Sequence, residues 1–431
     1  MNISKYVISL NYNDKLFLFN TKNNLSVSIT TDLLEKADKD DTIFRDMKKF
    51  LSTKHFFVEK NELQKASALF MKQNEERLKI SIFSHADCNF RCKYCYEKFE
   101  PHGIIYKETV LIDFIENLLK KGNYKLLDID WFGGEPLLGY QSILDISSQL
   151  QNIVAKRGIK YTSNITTNGF LLTENRFKSL VENAKIQIFQ VTIDGDSIGH
   201  DSQRVLRNMK GSFSKILSNL TAFKNSDLKA TIIIRMNISK NNYDSVKRFL
   251  NNEGLIFRND ERFLFVFRNV GDWGIGERKN DYNVPLCEED ASFDMSCTAI
   301  ELGYHCADAI LGTNNHYECY AQQKNSYAID THGNILKCTV DLYSNTNKLG
   351  SITDEKMSIS HEKEKIWLND YKFDSKCSEC PYVLLCKQGY CAKKIINKET
   401  TSDIACTKSK LSFAHNFELA ARQNNVMYEL S

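Results

Sequence analysis

Ser84-His85-Ala86-Asp87-Cys88-Asn89-Phe90-Arg91-Cys92-Lys93-Tyr94-Cys95-Tyr96 sets three cysteines at C-x3-C-x2-C, just past the mostly apolar run Ile80 to Phe83. That run reads as a buried strand, with the cysteines on the loop that follows it. Three thiolates on one short loop can hold three irons of a cubane, whereas a fully closed [4Fe–4S] cluster takes four cysteines. One iron is then left open for an exchangeable ligand, as a catalytic metal site keeps a free position. The alternatives are a zinc knot or a set of reduced core thiols, since C-x2-C alone is common in zinc sites. Structural zinc is closed by four ligands, and a lone triplet fits that poorly.

From residue 77 outward, strand and helix alternate. Lys79–Ser84, Leu126–Trp131, Lys160–Thr166, Ile186–Ile193, Ala230–Met236 and Arg262–Phe267 read as six buried strands rich in Ile, Val and Phe. Helical patterns at Lys107–Lys121, Tyr140–Arg157, Glu174–Asn183, Ser212–Asn225 and Tyr243–Asn252 separate them. Such alternation predicts an α/β fold of parallel βα units, with its chemistry at the carboxyl ends of the strands. Three further motifs fall at those ends. They are Trp131-Phe132-Gly133-Gly134-Glu135-Pro136, Thr166-Thr167-Asn168-Gly169, and Val191-Thr192-Ile193-Asp194-Gly195 running on to His200-Asp201-Ser202-Gln203-Arg204 and Gly211-Ser212-Phe213. Paired glycines admit a ligand close to the backbone, although a tight βα turn would use them equally well.

Taken together, the cysteine triplet with Tyr94 before its last member and these strand-end loops resemble the radical S-adenosylmethionine (radical SAM) superfamily. The resemblance implies a partial (β/α)6 barrel and a [4Fe–4S] cluster on Cys88, Cys92 and Cys95, whose open iron chelates S-adenosylmethionine. It also implies cofactor contacts from Tyr94, from the Gly133-Gly134-Glu135 edge, from the Thr192 hydroxyl and from Arg204. Thr192 stands where relatives more often carry Ser but keeps the hydroxyl. Asp194, His200 and Asp201 are expected to fix their loop through Asx-type hydrogen bonds, and Ile234-Arg235-Met236-Asn237 to flank the adenosine. No ligand role is assigned to Thr166–Gly169.

Length and composition bound the rest. A chain of 431 residues is long for one core and implies two or three domains. No apolar run approaches the ~18 residues needed to span a bilayer, and no basic-then-apolar export signal is visible at the N-terminus. A formal charge of +3 argues for neither nucleic acid nor membrane as partner. Thirteen cysteines without an export signal point to metal or redox chemistry in a reducing compartment. A cytoplasmic protein is expected.

Residues 1–76 form an unlike preface. Tyr6–Leu10, Leu16–Phe19 and Leu25–Ile29 read as short strands, Leu33–Ala37 and Phe44–Leu51 as helices, His55–Glu59 as a strand and Asn61–Gln73 as a helix. This small α+β pattern resembles the winged-helix-like elements that grip leader peptides in peptide-maturation enzymes. It lacks the arginine-rich face that DNA binding would need. A cap that packs on the barrel is the alternative. As a leader-binding element its removal is expected to spare cluster content and to weaken binding of a precursor peptide.

The last third carries ten of the thirteen cysteines. Cys319-x13-Gly333-x4-Cys338, then Cys377-x2-Cys380-x5-Cys386-x4-Cys391 and Cys406, resembles the SPASM extension, a seven-cysteine element housing two auxiliary [4Fe–4S] clusters. The fifth and sixth cysteines are four residues apart here instead of the usual three. The resemblance assigns Cys377, Cys380, Cys386 and Cys406 to an outer cluster and Cys319, Cys338 and Cys391 to an inner one. The inner cluster's fourth ligand is left open or supplied by Cys306, Cys297 or Cys287. Zinc ribbons are the rival for these spacings. Domains are expected at 1–76, 77–285 and 286–431.

The activity implied is formation of a 5′-deoxyadenosyl radical that alters a ribosomally made precursor peptide, by a thioether or carbon–carbon crosslink or another side-chain or α-carbon change. An external reductant of flavodoxin or ferredoxin type would supply the electron. The first alternative is formylglycine formation, as in anaerobic sulfatase maturases, which carry an aspartate base directly after the second SPASM cysteine. Here Cys338 is followed by Thr339, with Asp341 two further on as the one candidate catalytic side chain. A non-catalytic Fe–S redox regulator is the alternative from another class, and it would not need the Gly133–Pro136 and Thr192–Arg204 loops.

Overall fold

The computed structural model describes residues 2–271, 288, 290–310, 319–354, 357–368, 375–386 and 391–431. Its strands in chain order are β1 (Val7–Tyr12), β2 (Lys15–Asn20), β3 (Leu25–Thr30), β4 (Arg77–His85), β5 (Phe90–Cys92), β6 (Leu126–Gly133), β7 (Lys160–Thr167) and β8 (Ile186–Thr192). They continue with β9 (Arg204–Leu206), β10 (Thr231–Ile238), β11 (Phe263–Asn269), β12 (His305–Cys306), β13 (Ser326–Ile329), β14 (Asn334–Leu336), β15 (Lys348–Ser351) and β16 (Tyr428–Leu430). Two compact units result. The larger comprises Glu75–His305 and Lys324–Leu368, the smaller Met1–Asn74, Cys306–Gln323 and Asn369–Ser431.

In the larger unit β11-β10-β8-β7-β6-β4 lie side by side, every pair parallel. Helices Glu108–Lys121, Tyr140–Ala155, Glu174–Glu182, Phe213–Lys224 and Tyr243–Asn251 return the chain between strands. Parallel strands covered by helices are buried on both faces, and Ile80, Ile129, Phe189, Ile232 and Phe265 accordingly have no exposed surface. These are the six βα units of the expected partial barrel.

The sheet does not stop at six. β13 pairs in parallel with β4, and β14 and β15 follow antiparallel. These strands of three or four residues are too short to show periodicity in sequence. The turn from β13 to β14 explains the glycine of the C-x13-G-x4-C spacing. Asp330 Oδ1 accepts from the backbone N–H of His332 (2.9 Å) and of Asn334 (2.8 Å), and Gly333 adopts φ +84°, which a side chain would disfavour.

In the smaller unit β1, β2 and β3 form an antiparallel meander, followed by helices Thr31–Lys39, Asp41–Thr53 and Glu62–Glu75. The strand expected at His55–Glu59 is reduced to one bridge, Ile3 to Phe57. The sheet is completed by the far end of the chain, since β16 runs parallel to β3 from Tyr428 beside Val27 to Leu430 beside Ile29. Phe17 and Phe19 pack with Leu385, Phe413 and Phe417, the last two from helix Ser402–Arg422. Tyr6 packs with Val383 and Leu384, with Cys377 and Cys380 against them, and its hydroxyl donates to Ser378 O at 3.1 Å. Compactness thus divides the chain differently from the linear boundaries 1–76, 77–285 and 286–431. The preface and the cysteine-rich tail share one core, and residue 285 lies outside the described residues. Among the described residues no helix is long and apolar enough to cross a membrane.

Candidate functional site

The loop after β4 is fixed by its own carboxylate. Buried Asp87 accepts through Oδ1 from Cys88 N–H (2.8 Å) and Arg91 Nη2 (3.0 Å), and through Oδ2 from Arg207 Nη1 (2.8 Å). Beyond it β5 pairs antiparallel with β9, placing Cys92 opposite Arg204. Lys93 N–H to Gln203 O (3.0 Å) and Arg207 N–H to Asn89 O (2.9 Å) extend this ladder at either end. The second cysteine of the triplet and the arginine 112 positions later are therefore ladder partners, a pairing that three-residue strands do not announce in sequence.

Cys88, Cys92 and Cys95 line one open-mouthed cavity of ≈ 200 Å³ at the strand ends. None of the twelve described cysteines is in a disulfide. Burial pushes all three thiols up, Cys95 to about 12, so thiolates here require positive charge beside them. Iron supplies that charge, and three cysteines at one cavity suit a cubane with one open iron. Arg204 adds more. Its Nη1 donates to the Tyr94 hydroxyl at 2.6 Å, and that hydroxyl donates to Asp194 Oδ2 and accepts from Asn237 Nδ2 at 3.0 Å. Burial pushes the Asp194 carboxyl up, opposed by Arg204. Arg204 Nε is buried without a hydrogen-bond partner in the protein, a donor that a bound polar ligand would satisfy.

Tyr94, Gly133, Gly134, Thr192 and Arg204 all line the same cavity as the three cysteines. Glu135 is absent from that lining. Its Oε1 accepts from Thr167 Oγ1 (2.6 Å) and Leu137 N–H (3.0 Å), its Oε2 from Asn168 N–H (2.7 Å), so the carboxylate ties the β6 and β7 loops together. The glycines, too, first serve the protein. A Cβ on Gly133, at φ +122°, would lie 2.4 Å from His85 O, and one on Gly134 2.5 Å from Asp87 O. Asp201 Oδ1 accepts from the N–H of Ser212 (2.7 Å) and Phe213 (3.0 Å), and His200 Nδ1 accepts from Asp194 N–H (3.2 Å), the loop-fixing expected of them. Asn168, left without a role in sequence, lines the cavity with its Nδ2 3.6 Å from Cys88 Sγ. Gln190, Arg235 and Asn237 line it as well. Arg235 and Asn237 belong to the segment that the resemblance places beside the adenosine, whereas Gln190 is signalled only by its position near the end of β8.

The remaining cysteines lie elsewhere. Cys319, Cys377, Cys380, Cys386, Cys391 and Cys406 belong to the smaller unit, as does Cys306, while Cys338, two residues past β14, and Cys297, on helix Ala291–Glu301, belong to the larger. Cys287 lies outside the described residues. Asp341 is not among the side chains lining the cavity, and its carbonyl accepts from Asn347 Nδ2 at 2.9 Å.

Residues 82–252 match the family model of the Radical SAM superfamily. A cysteine-type anaerobic sulfatase-maturating enzyme of Clostridium novyi is 24% identical over 363 residues, covering 77% of this chain and 92% of the relative. A serine-type anaerobic sulfatase-maturating enzyme of Bacteroides thetaiotaomicron is 31% identical over 147 residues, 32% of this chain and 34% of the relative. The solved structure of native anSMEcpe with bound AdoMet and Cp18Cys peptide superposes with a TM-score of 0.58 at 21% identity, over 81% of this chain and all of that one, and shares its fold. The regulator alternative falls with these findings. With its triplet, its strand-end loops and its six parallel βα units, the chain carries a radical SAM domain over residues 82–252, the domain of enzymes that work with a [4Fe–4S] cluster and S-adenosylmethionine.

Proposed function

We propose that the enzyme modifies a ribosomally made peptide, and that its C-terminal cysteines hold two auxiliary [4Fe–4S] clusters. One observation carries this. The seven cysteines follow the spacing of a SPASM extension except between Cys386 and Cys391, and the glycine inside that spacing occupies a left-handed turn, at φ +84°, that leads through β14 to Cys338 two residues beyond it. The curated relatives matched over most of their length mature a sulfatase, and the peptide in the anSMEcpe structure supports the same substrate class. When bound, the cluster and S-adenosylmethionine supply a 5′-deoxyadenosyl radical that removes a hydrogen atom from an unactivated C–H. Cys88, Cys92 and Cys95 are the cluster ligands in this proposal. Arg204 and Thr192 would hold the cofactor's polar groups and the Gly133–Gly134 edge would take its methionine end, while Tyr94, itself hydrogen-bonded to Asn237, keeps Arg204 in place. The reductant is a flavodoxin- or ferredoxin-type protein, the compartment is the cytoplasm, and the meander β1–β3 grips a leader by β-augmentation at its edge strand β1.

Formylglycine formation is the second reading, favoured by the named activity of the C. novyi relative and weakened by Thr339 standing directly after Cys338. Anaerobic reconstitution with the small cysteine-containing peptides encoded nearest the gene, and with a sulfatase peptide, followed by mass spectrometry, separates the two. Loss of two hydrogens reports a crosslink, deuterium uptake without other mass change an epimerisation, and conversion of the sulfatase peptide the second reading. Cofactor cleavage with every peptide left unaltered would overturn peptide modification.

Arg204→Ala and Thr192→Ala are each expected to leave iron content unchanged and to weaken S-adenosylmethionine binding by about 10-fold, the effect of one lost contact to a charged partner. Equilibrium dialysis under anaerobic conditions measures it. Wild-type affinity in both variants would show the two side chains to be misassigned.

A further inference from the structure

Outside the cavity, the larger unit gathers another set of ligand-type side chains. Past Cys95 the chain folds back on the end of β4. Glu100 N–H donates to Ala86 O (3.3 Å), Ala86 N–H donates to His102 O (2.9 Å), and Gly103 bridges to His85. The β13–β14 turn presents His332 to the same place. Glu100 Oε2 lies 2.8 Å from His102 Nε2 and 2.8 Å from His332 Nε2, and the two imidazoles meet edge to face with centroids 4.9 Å apart. One ligand atom from each of the three residues falls within 4.8 Å of the others.

The donors and acceptors do not balance with neutral rings alone. His102 Nδ1 lies 2.8 Å from the carbonyl oxygen of Gly103. A carbonyl only accepts, so Nδ1 carries the hydrogen, and in the neutral ring Nε2 is then a bare lone pair. That lone pair faces a carboxylate oxygen, a second acceptor. A positive species has to stand between them, either an additional proton or a metal ion. An Nδ1–H···O=C bond is also the outer-shell contact by which metal-binding histidines fix their ring and present Nε2. His332 is exposed, and the cluster opens on a cleft lined by Lys98, Asp330 and Tyr343, so a fourth ligand position faces solvent.

We propose that Glu100, His102 and His332 bind one divalent cation of the zinc class, at a site that uses no cysteine. Two imidazoles and a carboxylate are borderline donors that suit Zn²⁺, and three protein ligands leave its tetrahedron open at one corner. Ligand atoms at about 2.0–2.1 Å from zinc stand about 3.3 Å apart, so loading widens the two 2.8 Å Glu100–imidazole spacings by about half an ångström, which the exposed His332 can yield. The bound ion ties the loop that follows the cluster cysteines to the β13–β14 turn that precedes Cys338. It acts as a clamp between two motif-bearing segments of the same unit.

The test uses protein whose iron–sulfur sites are fully reconstituted, equilibrated with ZnCl₂ and desalted. The expected result is one zinc per chain by elemental mass spectrometry, with only nitrogen and oxygen neighbours in zinc-edge X-ray absorption. His102→Ala and His332→Ala should each lower zinc affinity by more than about 100-fold with iron content unchanged. Glu100→Gln, which keeps the shape of the side chain, should lower it as well and serves if an alanine variant fails to fold. Absence of retained zinc, zinc with sulfur neighbours, or wild-type affinity in the soluble variants would overturn the site.

Discussion

Replacing Cys88, Cys92 and Cys95 together by alanine is expected to abolish 5′-deoxyadenosine formation while removing about four of roughly twelve irons per chain. The selectivity follows from placement. The triplet lies on a loop held by Asp87 and by the β5–β9 ladder, neither of which depends on a sulfur atom. Cys377, Cys380 and Cys386 border the core of the other unit, so their clusters should assemble in the variant. Iron analysis and chromatographic detection of 5′-deoxyadenosine on one preparation measure both halves. Wild-type iron near four per chain would remove the auxiliary clusters. Residual cofactor cleavage in the triple variant would remove the triplet as the site of reduction.

Deleting residues 1–76 is expected to destroy the smaller unit, together with the iron that its cysteines hold. On sequence grounds this deletion was expected to spare the clusters, and the packing reverses that expectation. Without Tyr6, Phe17 and Phe19, the side chains of Val383, Leu384, Leu385, Phe413 and Phe417 lose the partners that bury them. Each contributes ~1.5–3 kcal/mol when fully buried. Five together approach the ~5–15 kcal/mol that hold a whole domain folded. The truncated protein should lose up to about two-thirds of its iron and be cut by protease throughout 375–431. Full iron retention would show the preface to be separable, and precursor binding could then be assigned by deletion. As it stands, leader binding has to be tested by point substitution on the β1 edge.

The barrel was legible because its strands are long and buried on both faces. Runs such as Ile232-Ile233-Ile234 admit little else, and the cysteine spacing is local and survives without any structure. What was hidden was made by short or distant pairing. β5 and β9 are three residues each, β13 to β15 three or four, and β16 pairs with a strand at the other end of the chain. None has enough length for a period to emerge. Glu135 is a subtler case. Its position in a motif pointed to the cofactor, yet its two oxygens are occupied by Thr167, Asn168 and Leu137, partners whose convergence only the folded backbone reveals.

The parallel pairing of β16 with β3 also sets a clock on biosynthesis. Thr30 ends β3 and Tyr428 begins β16, so about 400 residues separate the two at ~5–20 residues per second of translation. For roughly 20–80 s the first meander is out of the ribosome with its β3 edge unpaired as well as its β1 edge and with its aromatic face uncovered, a state prone to joining other chains. Slowing initiation, lowering temperature or raising chaperone levels should therefore recover soluble protein more effectively than changes made to the barrel.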